Sequence, residues 1–300
     1  MYNKSIFFLR AQIIQSVRNF FINRGYLEVE TPVIIPAPAP EASIDAIKTQ
    51  KGFLQTSPEL CMKRLLSSGY EKIFQVCKCF RDGERGHIHL PEFTMLEWYR
   101  AEADYLYLMD ECRDMIKYVA HKLNMGEIIE YQGRTIDLSG EWKKLTVKEA
   151  FKSFTSTTPD KAIESGDFDE LLARSIEPGL NNGKPVFLYN YPVSQAALSR
   201  INKDDQGVAE RFELYMGGLE LANAFSELTD ADEQKKRFLK EAENREKAGK
   251  IQYPFPEKFI IDLENMPRSA GIAFGIDRFI MLLTNRARID EVVTFTPEKL

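Results

Sequence analysis

Residues 72–100 read KIFQVCKCFRDGERGHIHLPEFTMLEWYR. One apolar run ends at Phe80. A polar stretch carrying Gly83 and Gly86 turns the chain, and a second apolar run returns through Tyr99. Two β-rich segments about a glycine-bearing turn predict an antiparallel hairpin. On the return strand Phe93, Met95, Glu97 and Tyr99 share one face by the two-residue period. A glutamate on so apolar a face is either a surface residue or the receptor of an ammonium group, and these residues alone leave both open. Arg81 ends the first strand just before the turn. A guanidinium there can grip a carboxylate and a phosphate oxygen together, although a solvated strand-end arginine is the simpler reading of that residue in isolation.

Residues 208–228 repeat the pattern, with Gly217-Gly218 as the hairpin signal. Asn223, Phe225 and Glu227 alternate, so a carboxylate and an amide again flank an aromatic ring. Glu213 and Glu220 flank the turn on one face as diagonal neighbours. Like charges so placed favour a bound cation, with Mg²⁺ bridging nucleotide phosphates the natural candidate; an exposed hairpin with loosely placed carboxylates fits equally well. Glu220 and Asn223 have opposite parity, so a β-bulge near Leu221 or Ala222 is needed for both to line one site. Near the end of the chain, Gly271-Ile272-Ala273-Phe274-Gly275 predicts a strand feeding a helix over 276–283. Arg278 in that helix can stack on a base or pair with phosphate. The preceding pattern is not βαβ, so this is not a dinucleotide fingerprint.

Working outward, residues 5–24 predict an amphipathic helix stopped at Gly25, and 26–35 a strand-like segment broken by Pro32. Residues 36–44, PAPAPEASI, predict an irregular loop, and Ser57-Pro58-Glu59 a helix start running to Leu66. Further helices are expected over 104–124 and 231–248. Residues 130–205 are mixed and turn-rich, and are expected to hold a helical insertion. One α+β domain over residues 1–300 is favoured, a mainly antiparallel sheet flanked by helices.

Composition narrows the function. The 300 residues are 44% hydrophobic and 28% charged with a net charge of −5, ordinary for a globular enzyme and unsuited to coating nucleic acid. The 4 cysteines form no C-x-x-C pair, and Cys77 and Cys79 read as small residues on one strand face. With 3 histidines and no serine nucleophile elbow, hydrolase triads and three-histidine zinc sites are disfavoured. No apolar run is long enough to span a bilayer and no signal-peptide core is evident, so the expectation is a cytoplasmic enzyme with reduced thiols and no membrane partner.

Together these segments resemble the three signature motifs of class II aminoacyl-tRNA synthetases of the lysyl subgroup. Phe21–Pro32, ending Leu-Glu-Val-Glu-Thr-Pro, looks like motif 1, the dimerisation element. Phe80-Arg81 through Pro91-Glu92-Phe93-Thr94-Met95-Leu96-Glu97 looks like motif 2, and Gly271–Arg278 like motif 3. The resemblance covers most of the chain and implies the class II synthetase catalytic fold, ATP and Mg²⁺ as cofactors, and roles residue by residue. Arg81 would hold the amino-acid carboxylate and the α-phosphate, making it and Arg278 the catalytic pair. Glu84 and His89 would sit near the ATP phosphates or base, with Phe93 and Arg278 sandwiching adenine. Glu213 and Glu220 would hold the metal. Glu59 would meet the amino group nearest the carboxylate; Glu97, Tyr99 and Glu227 would bind the ε-ammonium, with Asn223 and Phe225 completing the pocket.

The departures point within the class. Motif 1 begins near residue 20, leaving no room ahead of it for the anticodon-binding barrel of lysyl-tRNA synthetases. Gly83 stands where those enzymes place a glutamate, with Glu84 one position later. Ala273 stands where they usually have glycine, and Ser57 precedes Pro58-Glu59 where alanine is usual. These features resemble the free-standing GenX-type paralogues, the elongation factor P–(R)-β-lysine ligase family. Leu90 departs from that family's usual asparagine. The resemblance implies activation of (R)-β-lysine or lysine as an adenylate and transfer to a lysine ε-amine of elongation factor P, by a homodimer, with tRNA an improbable acceptor. A synthetase-like enzyme charging tRNA and a non-catalytic paralogue are the rival readings.

Overall fold

Alternation, caps and glycine turns are realised throughout the computed structural model, which describes residues 4–196 and 198–300. Helix α1 (Lys4–Asn23) buries Ile13, Val17, Phe20 and Phe21 on one stripe and ends at Gly25, whose φ of 76° only glycine adopts freely. The chain continues through β1 (Leu27–Glu28) into a small sheet of β2 (Ile34–Ile35), β3 (Lys48–Thr49) and β4 (Gly52–Leu54). Then come α2 (Glu59–Ser67), the hairpin β5 (Lys72–Phe80) and β6 (Glu92–Ala101), and α3 (Tyr105–Lys122), where the Asp104 side chain accepts from the Tyr107 N–H as an N-cap. A ribbon of β7 (Ile128–Tyr131) and β8 (Arg134–Asp137) precedes β9 (Lys143–Thr146). Helices α4 (Val147–Phe154), α5 (Pro159–Ser165), α6 (Phe168–Leu171) and α7 (Glu177–Leu180) lead to β10 (Val186–Pro192). The remainder is the hairpin β11 (Val208–Met216) and β12 (Leu219–Ser226), α8 (Ala231–Lys247), α9 (Glu257–Leu263), β13 (Ser269–Gly275) and α10 (Ile276–Leu283).

The main sheet has 8 strands in the order β1-β5-β6-β13-β12-β11-β10-β9. Its outermost pairs, β1 with β5 and β10 with β9, are parallel and the inner ones antiparallel. The span 130–205 is therefore less uniform than a helical insertion. Its helices lie within 147–180, while β9 and β10 extend the main sheet at one edge.

Register divides the sheet into two unlike faces. On one, Phe74, Trp98, Ile272, Ala224 and Phe212 stand side by side across five strands, all within the core packed beneath α1, α3 and α10. On the other, Gln75, Glu97, Ala273, Asn223 and Glu213 form the equivalent row, and Ile73, Tyr99, Gly271, Phe225 and Arg211 the next. The bulge demanded by parity is present. Leu214 faces Ala222 and Tyr215 faces Glu220, which leaves Leu221 without a partner and turns Glu220, Asn223 and Phe225 to the same side. Gly217 and Gly218, with φ of 62° and 83°, close that hairpin in the conformation two-residue loops require. Cys77 and Cys79 do share a face, their Sγ atoms 3.9 Å apart; only Cys79 is buried.

Candidate active site

The polar face of the sheet forms the floor of a cleft roofed by the loop around Glu41, the start of α2 and the β5–β6 turn. Residues 57–59 show how local sequence builds its wall. Pro58 starts α2, the Ser57 hydroxyl accepts from the Glu59 N–H at 3.0 Å, and the same hydroxyl donates to Glu97 Oε1 at 2.6 Å. Glu97 is fully buried, and the Tyr99 hydroxyl donates to its other oxygen at 2.8 Å. Burial, and then the charge of Glu59, push its carboxyl up to about 8.

Glu227 is also fully buried. It lies behind Gly271, where a Cβ would collide with both the Glu227 carboxylate and the Tyr99 ring, so only glycine leaves this end of the cleft open. Glu227 pairs with the Lys63 Nζ at 2.5 Å, an ion pair without an aligned hydrogen bond. Lys63, itself 1% exposed, reaches Glu59 as well and stands 5.1 Å from the Phe225 ring centroid. Burial acts to discharge its ammonium, but Glu227 and Glu59 outweigh it and hold the group charged. Two of the three carboxylates thus share one internal cation, while Ser57 and Tyr99 hold the third, Glu97.

The opposite end is cationic. Arg81 lies 5.1 Å from the Phe93 ring centroid and 3.7 Å from Glu84, and its buried Nε has no acceptor among the described residues. Arg278 donates to the Glu220 carbonyl at 2.8 Å and to its carboxylate at 3.2 Å, and its Nη2 meets His89 Nε2 at 2.6 Å. A guanidinium has only donors, so Nε2 must be the acceptor nitrogen. Burial, with Arg278 next, lowers the His89 pKa, consistent with a neutral ring. Asp277 locks the frame: it accepts from Arg10 at 2.6 Å and from the Thr94 N–H at 2.6 Å, tying α10 to α1 and β6.

Of the residues expected at the site, Ser57, Glu59, Arg81, Glu84, His89, Phe93, Glu97, Tyr99, Glu220, Asn223, Phe225, Ala273 and Arg278 line this one cleft. Glu227 lies just behind it. Glu213 is on the same face, but its carboxylate accepts from the Tyr191 and Tyr215 hydroxyls, each at 2.6 Å, and from Arg211. Glu220 is the carboxylate of the expected metal pair that reaches the cleft wall, and no group of three or more metal-ligating side chains is assembled among the described residues. Three participants escaped the sequence reading. Lys63 stands four residues after Glu59 on a helix, a spacing that already placed the two on one face. Arg211, opposite Phe225 in register, donates to Asn223 Oδ1 at 3.1 Å and so fixes that amide. Glu41 comes from the irregular proline loop, where no periodicity marks direction.

Comparison with known proteins agrees with this geometry. The class II tRNA synthetase family (D, K and N) matches residues 2–299. The chain belongs to that family: an antiparallel synthetase sheet carrying its cleft on one face. An elongation factor P–(R)-β-lysine ligase of Edwardsiella ictaluri (strain 93-146) is 39% identical over 307 residues, covering 97% of this chain and 94% of its own. The ligase of the same name from Pectobacterium carotovorum subsp. carotovorum (strain PC1) is 40% identical over 311 residues, with 97% and 94% covered. That of Avibacterium paragallinarum is 40% identical over 306 residues, with 96% and 94% covered. Within the class, the protein is a member of the elongation factor P–(R)-β-lysine ligase family.

Proposed function

We propose that the protein uses ATP to activate (R)-β-lysine, or lysine, as the aminoacyl-adenylate and transfers the acyl group to a lysine ε-amine of elongation factor P. The observation that carries this reading is the polarity of the cleft. Arg81 and Arg278 stand at one end, and at the other Glu97 stands with Glu59 and Glu227, which pair with a single lysine. The ligand that suits it has a negative head and a cationic tail.

The residues then divide the work. Arg81 grips the amino-acid carboxylate and the α-phosphate with its guanidinium, whose buried Nε its described neighbours leave unsatisfied, holding the two reacting groups together. Phe93 and Arg278 take the adenine between them. Glu97 and Tyr99 receive the distal ammonium, with Glu227 behind them. The substrate carboxylate oxygen forms a bond to the α-phosphorus and pyrophosphate leaves; the partner's amine then bonds to the acyl carbon, losing a proton as AMP departs. Both steps build charge on phosphate oxygens, which fixed guanidiniums at this end stabilise. Glu220, at the cleft wall, would hold Mg²⁺ together with phosphate oxygens, and the ion would neutralise phosphate charge.

Leu27, Val33 and Ile34, in and just beyond the motif 1 segment, are exposed apolar residues, which supports docking of a second copy there. No helix among the described residues is long and apolar enough to cross a membrane, in keeping with action in the cytoplasm. The test is mass spectrometry of elongation factor P after incubation with the protein, ATP and either amino acid. An acyl adduct on one lysine with AMP released is expected; an unmodified factor beside aminoacylated tRNA would overturn the assignment of the acceptor.

A further inference from the structure

The expected seat for the amino group nearest the substrate carboxylate is Glu59, yet Glu59 is already bound by Lys63. A second carboxylate is available at that end. Glu41 lines the same cleft, and no hydrogen bond or ion pair engages its carboxylate among the described residues. It keeps some contact with the cleft mouth while protein surrounds its other sides. Burial, then the charge of Glu59, push its carboxyl up to about 7, with Arg81 and Lys63 the cations acting on it.

The backbone that presents Glu41 is held far more firmly than a surface loop. Arg245, 1% exposed, donates to the Glu41 carbonyl at 2.8 Å, to the Ile44 carbonyl at 2.9 Å and to Asp45 at 2.9 Å. Glu241 accepts from the Ala42 N–H at 2.9 Å, Lys250 donates to the Ala42 carbonyl at 2.8 Å, and the Tyr253 hydroxyl accepts from the Ala46 N–H at 2.7 Å. A largely buried arginine is committed to fixing a segment whose carboxylate then faces the cleft without a protein partner. Glu41 itself is only half-buried, so its carboxylate can be reached from the cleft.

We propose that Glu41 is a specificity-determining residue: it receives the substrate ammonium group nearest the carboxylate gripped by Arg81, and so selects diamino acids over acids with one distal amine. The assignment rests on the adenylation reading above and adds the contact that reads the second amine.

The test compares pyrophosphate exchange and binding for (R)-β-lysine and for 6-aminohexanoate, which keeps the carboxylate and the distal amine and lacks the amine between. Glu41→Gln preserves shape and removes the charge. It is expected to lower kcat/KM for (R)-β-lysine about 10- to 100-fold while leaving the inhibition constant of 6-aminohexanoate within about twofold. A merely structural role would weaken both ligands together, and that outcome overturns the proposal, as does an unchanged kcat/KM for (R)-β-lysine. Glu41→Asp, which keeps the charge, should recover part of the loss. If the unaltered protein supports no exchange with any amino acid, the adenylation reading itself fails and this assignment falls with it; exchange that is normal yet indifferent to Glu41→Gln removes only the assignment.

Discussion

The two ends of the cleft solve the problem of buried charge in opposite ways. At the acidic end the countercharge is internal: Lys63 lies between Glu59 and Glu227, and Ser57 and Tyr99 both donate to Glu97. At the cationic end Arg278 is tied down by Glu220 and His89, while Arg81 keeps a buried donor without an acceptor among the described residues. The difference teaches where ligand energy enters. The acidic end can stand without a guest because it contains a cation of its own, and a guest's ammonium completes a partly neutralised set. The cationic end leaves a donor to be satisfied only when an anion arrives.

The largest expected effect removes the internal countercharge. Lys63→Met leaves the fully buried Glu227, with Glu59 beside it, without their cation, and should lower unfolding free energy by about 3–5 kcal/mol in urea titration. A loss below about 1 kcal/mol would break the comparison. At the other end, Arg81→Ala should leave the melting temperature nearly unchanged and reduce amino-acid-dependent pyrophosphate exchange about 100- to 1,000-fold. A reduction under tenfold would mean that Arg81 is not the anion grip. The smallest effect is a proton. Burial holds the Glu97 carboxyl at about 8, so at pH 7 it is mostly protonated in the free protein. A substrate ammonium favours the ionised form, so binding at pH 7 should release close to one proton from Glu97, and affinity should climb as pH rises toward 8. Calorimetry in two buffers of different ionisation enthalpy measures the net release, and Glu97→Gln should lower it by close to one proton. Uptake of a proton at pH 7 would reverse the assigned sign.

How much of this was legible beforehand follows from periodicity. Phe93, Met95, Glu97 and Tyr99 announced a face because strands alternate, and the same count required the bulge later found at Leu221. The motifs placed both arginines and most of the acidic wall in one cleft. Glu213 was legible as to face but only in part as to partners: Tyr215 lies two residues along its own strand, whereas Tyr191 reaches it from β10, and the β10–β11 register cannot be read from either segment alone. The 130–205 span misled for a related reason. Strands β9 and β10 pair in parallel, and parallel pairing demands a long crossover, here the helices within 147–180. Helical sequence between two short strands thus read as an insertion when it was a connection. Glu41 was hidden because direction in an irregular loop is set by distant groups, Arg245 foremost, and not by local spacing.

The unpaired Leu221 has a consequence for how this sequence can change. It works as a phase shifter, adding one residue so that everything after it in β12 points to the opposite side from the side plain alternation would dictate. Loss of a single residue between Gly218 and Asn223 would leave the turn intact and the strand well formed. Removing the extra residue removes the bulge with it, so Asn223 and Phe225 would keep facing the cleft; a bulge straightened at unchanged length would instead turn Asn223, Phe225 and Glu227 into the oily layer beneath the sheet and drive Ala222 and Ala224 up into the cleft. Substitutions along this strand can therefore be explored one at a time, whereas its length and its bulge can change only together.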